Sequence, residues 1–162
     1  HDVGKMHGPQ WFIENQDERS GNPHDQLDDP FASAAILQAH VDEGLRLARR
    51  YRLPRPLADF IPEHQGTMLI SYFHHQAQEM AQQDPAITVQ EADFRYDGPI
   101  PQSPETGIVM LADSCEAALR SLTDATPEED KADSEGVFWR GFFSVSVTQN
   151  KTNACAENSK RA

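Results

Sequence analysis

The sequence predicts an all-α domain, and two observations carry that expectation. Residues 31–51, 67–81 and 103–122 repeat apolar residues at three- and four-residue steps, the period of a helix with one buried face. Two of these stretches also open on helix-starting residues, Asp29-Pro30 and Ser103-Pro104-Glu105. The chain has 162 residues, one domain's worth and enough for a sizeable core.

Residues 1–30 read mostly as loop, because Gly4, Gly8-Pro9, Ser20-Gly21-Asn22-Pro23 and Asp29-Pro30 are closely spaced breakers. Trp11, Phe12 and Ile13 are expected to anchor this loop to the core, and His7 and His24 to be exposed. The helix over 31–51 takes Pro30 in its first turn and Asp29 as its cap. Ile36, His40, Val41, Gly44, Leu45, Ala48 and Tyr51 form its apolar face, opposite a solvated face of Asp42, Arg46, Arg49 and Arg50. Leu53-Pro54-Arg55-Pro56 stops and restarts the chain, and a short helix runs to Glu63 or Gln65 with Pro62 near its end. It turns Leu57, Phe60 or Ile61, and His64 to one side, and Gly66 suits a left-handed helix terminus.

The helix over 67–81 carries Leu69, Ile70, Phe73, Ala77 and Met80 as its stripe, with His74 and His75 at or near the surface. Residues 82–102 are a long connection rich in Pro, Asp and Gly, broken by Phe94-Arg95-Tyr96. The helix over 103–122 is expected to bury Ile108, Leu111, Cys115, Ala118 or Leu119, and Leu122. Asp113 lies mid-helix among apolar residues, where it faces water, pairs with Arg120, or binds a metal. Beyond residue 130 the composition shifts: residues 131–162 carry five basic and three acidic residues, and helical periodicity is lost after Phe142-Phe143. That sets a domain over 1–130 and a divergent, poorly ordered tail over 131–162 that contributes little to stability.

The net charge of −12 argues against a nucleic-acid polymer as partner, since phosphate backbones call for a basic surface. An anionic substrate would need bound cations to overcome that field. Two cysteines make no disulfide framework and point to a reducing compartment. With no apolar run of membrane-span length and no signal peptide, the chain reads as soluble and cytoplasmic. It starts on His1 inside a motif, as a fragment or processed piece would.

The chemistry concentrates at the start. The adjacent His1-Asp2 pair offers imidazole nitrogen and carboxylate oxygen to divalent cations. His40, His64 and Asp113 sit in apolar helical stretches, where an unpartnered polar group is costly.

In order along the chain, His1-Asp2-Val3-Gly4-Lys5, Phe12-Ile13-Glu14-Asn15-Gln16, Asn22-Pro23-His24-Asp25, His40-Val41 and His64-Gln65-Gly66-Thr67 form one series of motifs. Ser71-Tyr72-Phe73, Phe94-Arg95-Tyr96-Asp97-Gly98-Pro99, Pro101-Gln102-Ser103 and Met110-Leu111-Ala112-Asp113-Ser114 continue it. Over about residues 1–130 this series resembles the HD superfamily of metal-dependent phosphohydrolases. Within it, the likeness is to the cytoplasmic HD domain of the bacterial seven-transmembrane HD phosphodiesterases, which hydrolyse cyclic di-AMP. The resemblance implies an all-helical HD bundle holding two divalent metal ions, manganese or iron, that cleave a cyclic dinucleotide to linear pApA. By position it implies His1, Asp2 and Asp113 as ligands of the first ion. Asp2 would bridge to a second ion held also by His40 and His64, with Lys5 as a cation beside the phosphate.

Three departures accompany the resemblance. The family's additional first-metal histidine lies upstream of the His-Asp pair, so the bundle is expected to be truncated at its N-terminus. The second of two consecutive family histidines is Gln65 here, a weaker neutral ligand. The family's continuation is not matched past about residue 130. The family also implies a membrane-anchored parent, with this domain on the cytoplasmic face. Other readings are a different HD nucleotide hydrolase, a non-catalytic HD module that binds nucleotide for signalling, or a helical scaffold. The cyclic di-GMP type is disfavoured because no Gly-Tyr-Pro motif follows the histidine region.

Overall fold

The computed structural model describes residues 1–16 and 21–123. The expectations for the 131–162 tail, and for the side chains of Leu119, Arg120 and Leu122, lie outside the described residues. Three short 3-10 turns, Val3–His7, Pro9–Trp11 and Ile13–Asn15, lead into the first helix, α1 (Pro23–Leu27). Asn22 caps α1 by accepting from the His24 amide at 3.0 Å, and Asp28 ends it in the left-handed conformation.

Asp29 then caps α2 (Pro30–Arg50), its Oδ1 accepting from the amides of Phe31 and Ala32 at 2.9 and 3.0 Å. Pro30 occupies the first position, where its missing N–H costs nothing. The helix buries Ser33, Ala34, His40, Gly44 and Ala48. Tyr51, expected on that face, is exposed: it is the cap residue, past the last helical turn.

The short helix predicted before residue 65 is two pieces, α3 (Arg55–Ala58) and α4 (Phe60–Glu63). Pro62 explains the break, since it has no N–H to give the carbonyl four residues back at Ala58. Ile61 turns inward, while Leu57 stays exposed rather than joining it. Gly66 has φ +53°, the left-handed terminus expected there.

Helix α5 (Ser71–Gln83) begins four residues later than periodicity predicts. Residues 68–70 instead pair with the 94–96 stretch. The Ile70 amide donates to the Phe94 carbonyl at 2.8 Å, the Tyr96 amide donates to Met68 at 3.1 Å, and Leu69 bridges Arg95. That pairing drives Phe94 into the core with Ala34, Phe73 and Ala77, under Phe31, Leu37 and Val89. Gln38 on α2 secures the same strip by donating to the carbonyls of Asp93 and Arg95.

Helix α6 (Pro104–Thr123) is capped by Ser103, whose Oγ accepts from the Thr106 amide at 3.2 Å. It buries Thr106 and Met110 and leaves Ile108, Leu111 and Cys115 exposed, the reverse of the predicted stripe. The run Ile108-Val109-Met110-Leu111 is apolar all round, so periodicity alone cannot choose a face. A polar anchor chooses it: the buried Glu63 carboxylate accepts from Thr106 Oγ1 at 2.6 Å and from the Gln102 amide at 2.7 Å. Met110 lies one turn on.

Among the described residues the fold is all-helical, with the Leu69–Arg95 bridge its sole extended pairing. Residues His1–Met110 form one compact unit, and Leu111 begins a second. No described helix is long and apolar enough to cross a membrane.

Candidate metal centre

Within the first unit, the turn Val3–His7, α2 and the residue following α4 deliver Asp2, His40 and His64 to one place. Two glycines permit the approach. A Cβ at Gly4 would lie 1.8 Å from the His40 carbonyl oxygen and 2.6 Å from the Gly44 nitrogen. A Cβ at Gly44 would lie 2.7 Å from Ile61 Cγ2. The turn therefore rests directly on the α2 backbone, and α2 rests on α4, because neither position carries a side chain.

Asp2 Oδ1 stands 3.3 Å from His64 Nε2 and 3.7 Å from His40 Nε2, and the two Nε2 atoms are 3.3 Å apart. His64 is fully buried and His40 is 3% exposed. The opposite ring nitrogens are committed. His40 Nδ1 donates to the Leu37 carbonyl at 2.5 Å, and His64 Nδ1 donates to Ile61 at 2.7 Å and to Phe60 at 3.2 Å. A carbonyl oxygen only accepts, so each Nδ1 must carry the proton. In the neutral rings both Nε2 atoms then present lone pairs to each other and to a carboxylate oxygen.

Asp2 Oδ1 is buried and has no hydrogen-bond donor. Such an atom is costly unless something positive fills the space. A cation would satisfy all three acceptors together, whereas a second proton on one ring would leave two acceptors to share a single N–H. Carbonyl bonds to the far nitrogens are also how ligating imidazoles are oriented. The donor set therefore fits a divalent cation of borderline character.

The electrostatics agree. Burial alone would raise the Asp2 carboxyl, but Lys5 and, when its ring carries a second proton, His64 outweigh it and hold the group well below the usual carboxylate range. Burial pushes the His40 imidazole below its ordinary value, against the Leu37 carbonyl bond that favours its proton. Both groups thus favour the deprotonated forms that bind metal.

Around this trio, His1 Nε2 lies 3.4 Å from Asp2 Oδ2, and its ring packs against His64 with centroids 4.6 Å apart. Lys5 Nζ donates to Asp2 Oδ2 at 2.8 Å and to Glu14 Oε1 at 2.7 Å, above the Phe12 ring. Phe12 and Tyr96 pack against the His40 imidazole with their rings nearly perpendicular to it. Gln65 is half-buried next to His64. Asp113 is half-buried on α6 and belongs to the second unit.

The remaining histidines lie elsewhere. His7 and His75 are exposed, and His74 is half-buried against Phe94. His24, expected to be exposed, is buried: Nε2 donates to the Trp11 carbonyl at 3.0 Å, and the ring packs between Trp11 and Phe73. Its place in α1, capped by Asn22, turns it toward α5.

Glu14, Phe12 and Tyr96 were not singled out as site residues by sequence reasoning. Their stretches have no helical period, and the only signal was a lysine nine residues before a glutamate with an aromatic between them.

The chain matches the HD domain family over residues 1–118. The Synechocystis sp. protein slr0104 is 59% identical over 143 residues, covering 86% of this chain and 18% of that protein. The cyclic-di-AMP phosphodiesterase PgpH of Bacillus subtilis is 43% identical over 128 residues, covering 79% of this chain and 17% of that protein. Crystal structures of the Listeria monocytogenes PgpH HD domain, one of them in complex with cyclic-di-AMP, superpose with TM-scores of 0.70 and 0.71 at 34% identity. They cover 93% of this chain and 64% of those domains. The chain thus spans less than a fifth of the length of the first two relatives.

Proposed function

The chain belongs to the HD domain family, and on that premise we propose that it is the catalytic domain of a metal-dependent phosphodiesterase that hydrolyses cyclic di-AMP to pApA. The observation that carries the reading is the buried, donorless Asp2 Oδ1 facing the lone pairs of His40 and His64. The likeness to the PgpH HD domain bound to cyclic-di-AMP supports the substrate class.

Asp2, His40 and His64 would hold one ion. His1 and Asp2 would share the other with Asp113, which enters on its sequence position alone. Divalent cations held there, manganese or iron, would supply the water activation and charge neutralisation that phosphodiester cleavage requires. The chain's own residues prepare for this. The carbonyl bonds at Nδ1 fix both imidazoles in the ligating tautomer. Lys5 anchors Asp2 Oδ2, which leaves Oδ1 for the ion, and would serve as a cation beside the phosphate. The partner is then a cyclic dinucleotide, and the parent a membrane-anchored protein with this domain on its cytoplasmic face.

The test is turnover of cyclic di-AMP and cyclic di-GMP by the full chain at millimolar manganese, with His64→Ala as control. Metal-dependent conversion of cyclic di-AMP to pApA that is lost in the variant is the expected result. Gln65 favours a second reading, a module that binds nucleotide without turning it over. Binding of cyclic di-AMP with no pApA formed would select that one.

A further inference from the structure

We propose that Glu14 is a positioning residue for the metal centre, acting through Lys5 to keep Asp2 available to a divalent cation. The inference rests on reading Asp2, His40 and His64 as a cation site.

Lys5 is a problem for such a site as well as a help. Its ammonium lies 2.8 Å from Asp2 Oδ2, on the carboxylate that must also hold a divalent ion. Paired with Asp2 alone, it would cancel that charge and compete with the metal for the carboxylate. A flexible lysine stem would also let the ammonium slide toward Oδ1, the one oxygen without a donor.

Glu14 removes both difficulties. Its Oε1 takes a second Lys5 hydrogen at 2.7 Å. Sharing between two carboxylates returns the Asp2–Lys5–Glu14 group to a net charge of one negative unit. The Phe12 ring beneath Nζ, 5.2 Å to its centroid, fixes the third direction. Lys5 is thereby held on Oδ2 by three contacts, and Oδ1 stays open toward His40 and His64. The 3-10 turn Ile13–Asn15 exists at the right place because Phe12 is buried and extended just before it. Glu14 itself lies on the surface, so its charge contributes little to folding.

The experiment measures manganese affinity of the full chain by the loss of the free-ion electron paramagnetic resonance signal, with thermal unfolding run in parallel. Glu14→Gln should weaken manganese binding about five- to tenfold, the factor one partly exposed charge contact supplies, while the apo unfolding temperature stays within two degrees or so. Glu14→Asp should recover part of the affinity. In a Lys5→Met background, Glu14→Gln should change affinity by less than twofold, because the route through Lys5 is gone. Unchanged affinity in Glu14→Gln, with manganese still bound by the unsubstituted chain, overturns the inference and leaves the metal site standing. An equal loss in both backgrounds also overturns it, since Glu14 would then act without Lys5. No manganese binding by the unsubstituted chain defeats both readings at once.

Discussion

His40 Nε2 stands 3.3 Å from His64 Nε2, and in the neutral tautomers neither ring has a proton to place between them. Two lone pairs and a carboxylate oxygen face one another in a buried space, an arrangement that is unfavourable when empty. Filling it should therefore stabilise the fold. Manganese at one hundred times its dissociation constant should add about 2.7 kcal/mol. For a chain of this size that is a rise of about 5–11 °C in unfolding temperature, reversed by a chelator. His64→Ala should remove the rise. Differential scanning calorimetry with and without metal decides it, and an unshifted transition in the unsubstituted chain would count against a cation site.

The same groups set a pH dependence without metal. The Asp2 carboxyl is held below its ordinary range and the His40 imidazole is lowered, so the native state binds fewer protons than the unfolded chain. Stability is then greatest above pH ~6.5. It should decline as pH falls below the unfolded histidine value, and again below about 4 as the unfolded carboxylate takes its proton. Each group contributes at most about 1.4 kcal/mol per pH unit. Urea midpoints between pH 8 and 4 in chelator would show it, and His40→Leu should flatten the upper segment.

The glycine contacts sort three similar substitutions into different outcomes. Gly4→Ala drives a Cβ into the His40 carbonyl and should cost about 3 kcal/mol or more. Gly44→Ala meets the Cγ2 methyl of Ile61 most closely, so its cost of about 1–3 kcal/mol should be partly relieved by Ile61→Leu, which lacks that branch. Gly107→Ala, inside α6 with its nearest atom 3.8 Å away, should be neutral or stabilising by about 0.5–1 kcal/mol. Chemical denaturation of the five variants, the double among them, gives the ranking directly.

Gln65 offers a neutral carbonyl oxygen next to His64, where the resemblance implies an imidazole. Gln65→His should tighten metal binding and raise cyclic di-AMP cleavage, because a nitrogen donor suits borderline cations better. Titrating manganese into both chains while following pApA release is the check. Matching affinities and rates would mean that position 65 is not a ligand position.

Much of the helical framework was legible in the sequence, since Asp29-Pro30 and Ser103-Pro104 are local signals that tertiary packing did not override. What misled were features decided at a distance. The start of α5 moved because residues 68–70 found backbone partners at 94–96, which no window of sequence around them contains. The buried side of α6 was chosen by Glu63, a carboxylate that reading by apolar stripes passes over. His24 went inside because a short capped helix formed in what read as loop. At the site, Asp2, His40 and His64 were named from residue type and order, and the structure brings them together. Glu14 was hidden because an exposed acid in a non-periodic stretch looks like ordinary solvated surface.

The seating of Gly4 on α2 also makes the helix a reporter. The Gly4 backbone covers the helical hydrogen bond from the Gly44 amide to the His40 carbonyl, shielding it from water. For the Gly44 amide to trade its hydrogen with solvent, the Val3–His7 turn must first lift, and lifting it carries Asp2 away from both histidines. Its exchange rate in heavy water therefore counts how often the dyad leaves its place, and occupancy of the centre should slow that single amide far more than its neighbours along α2.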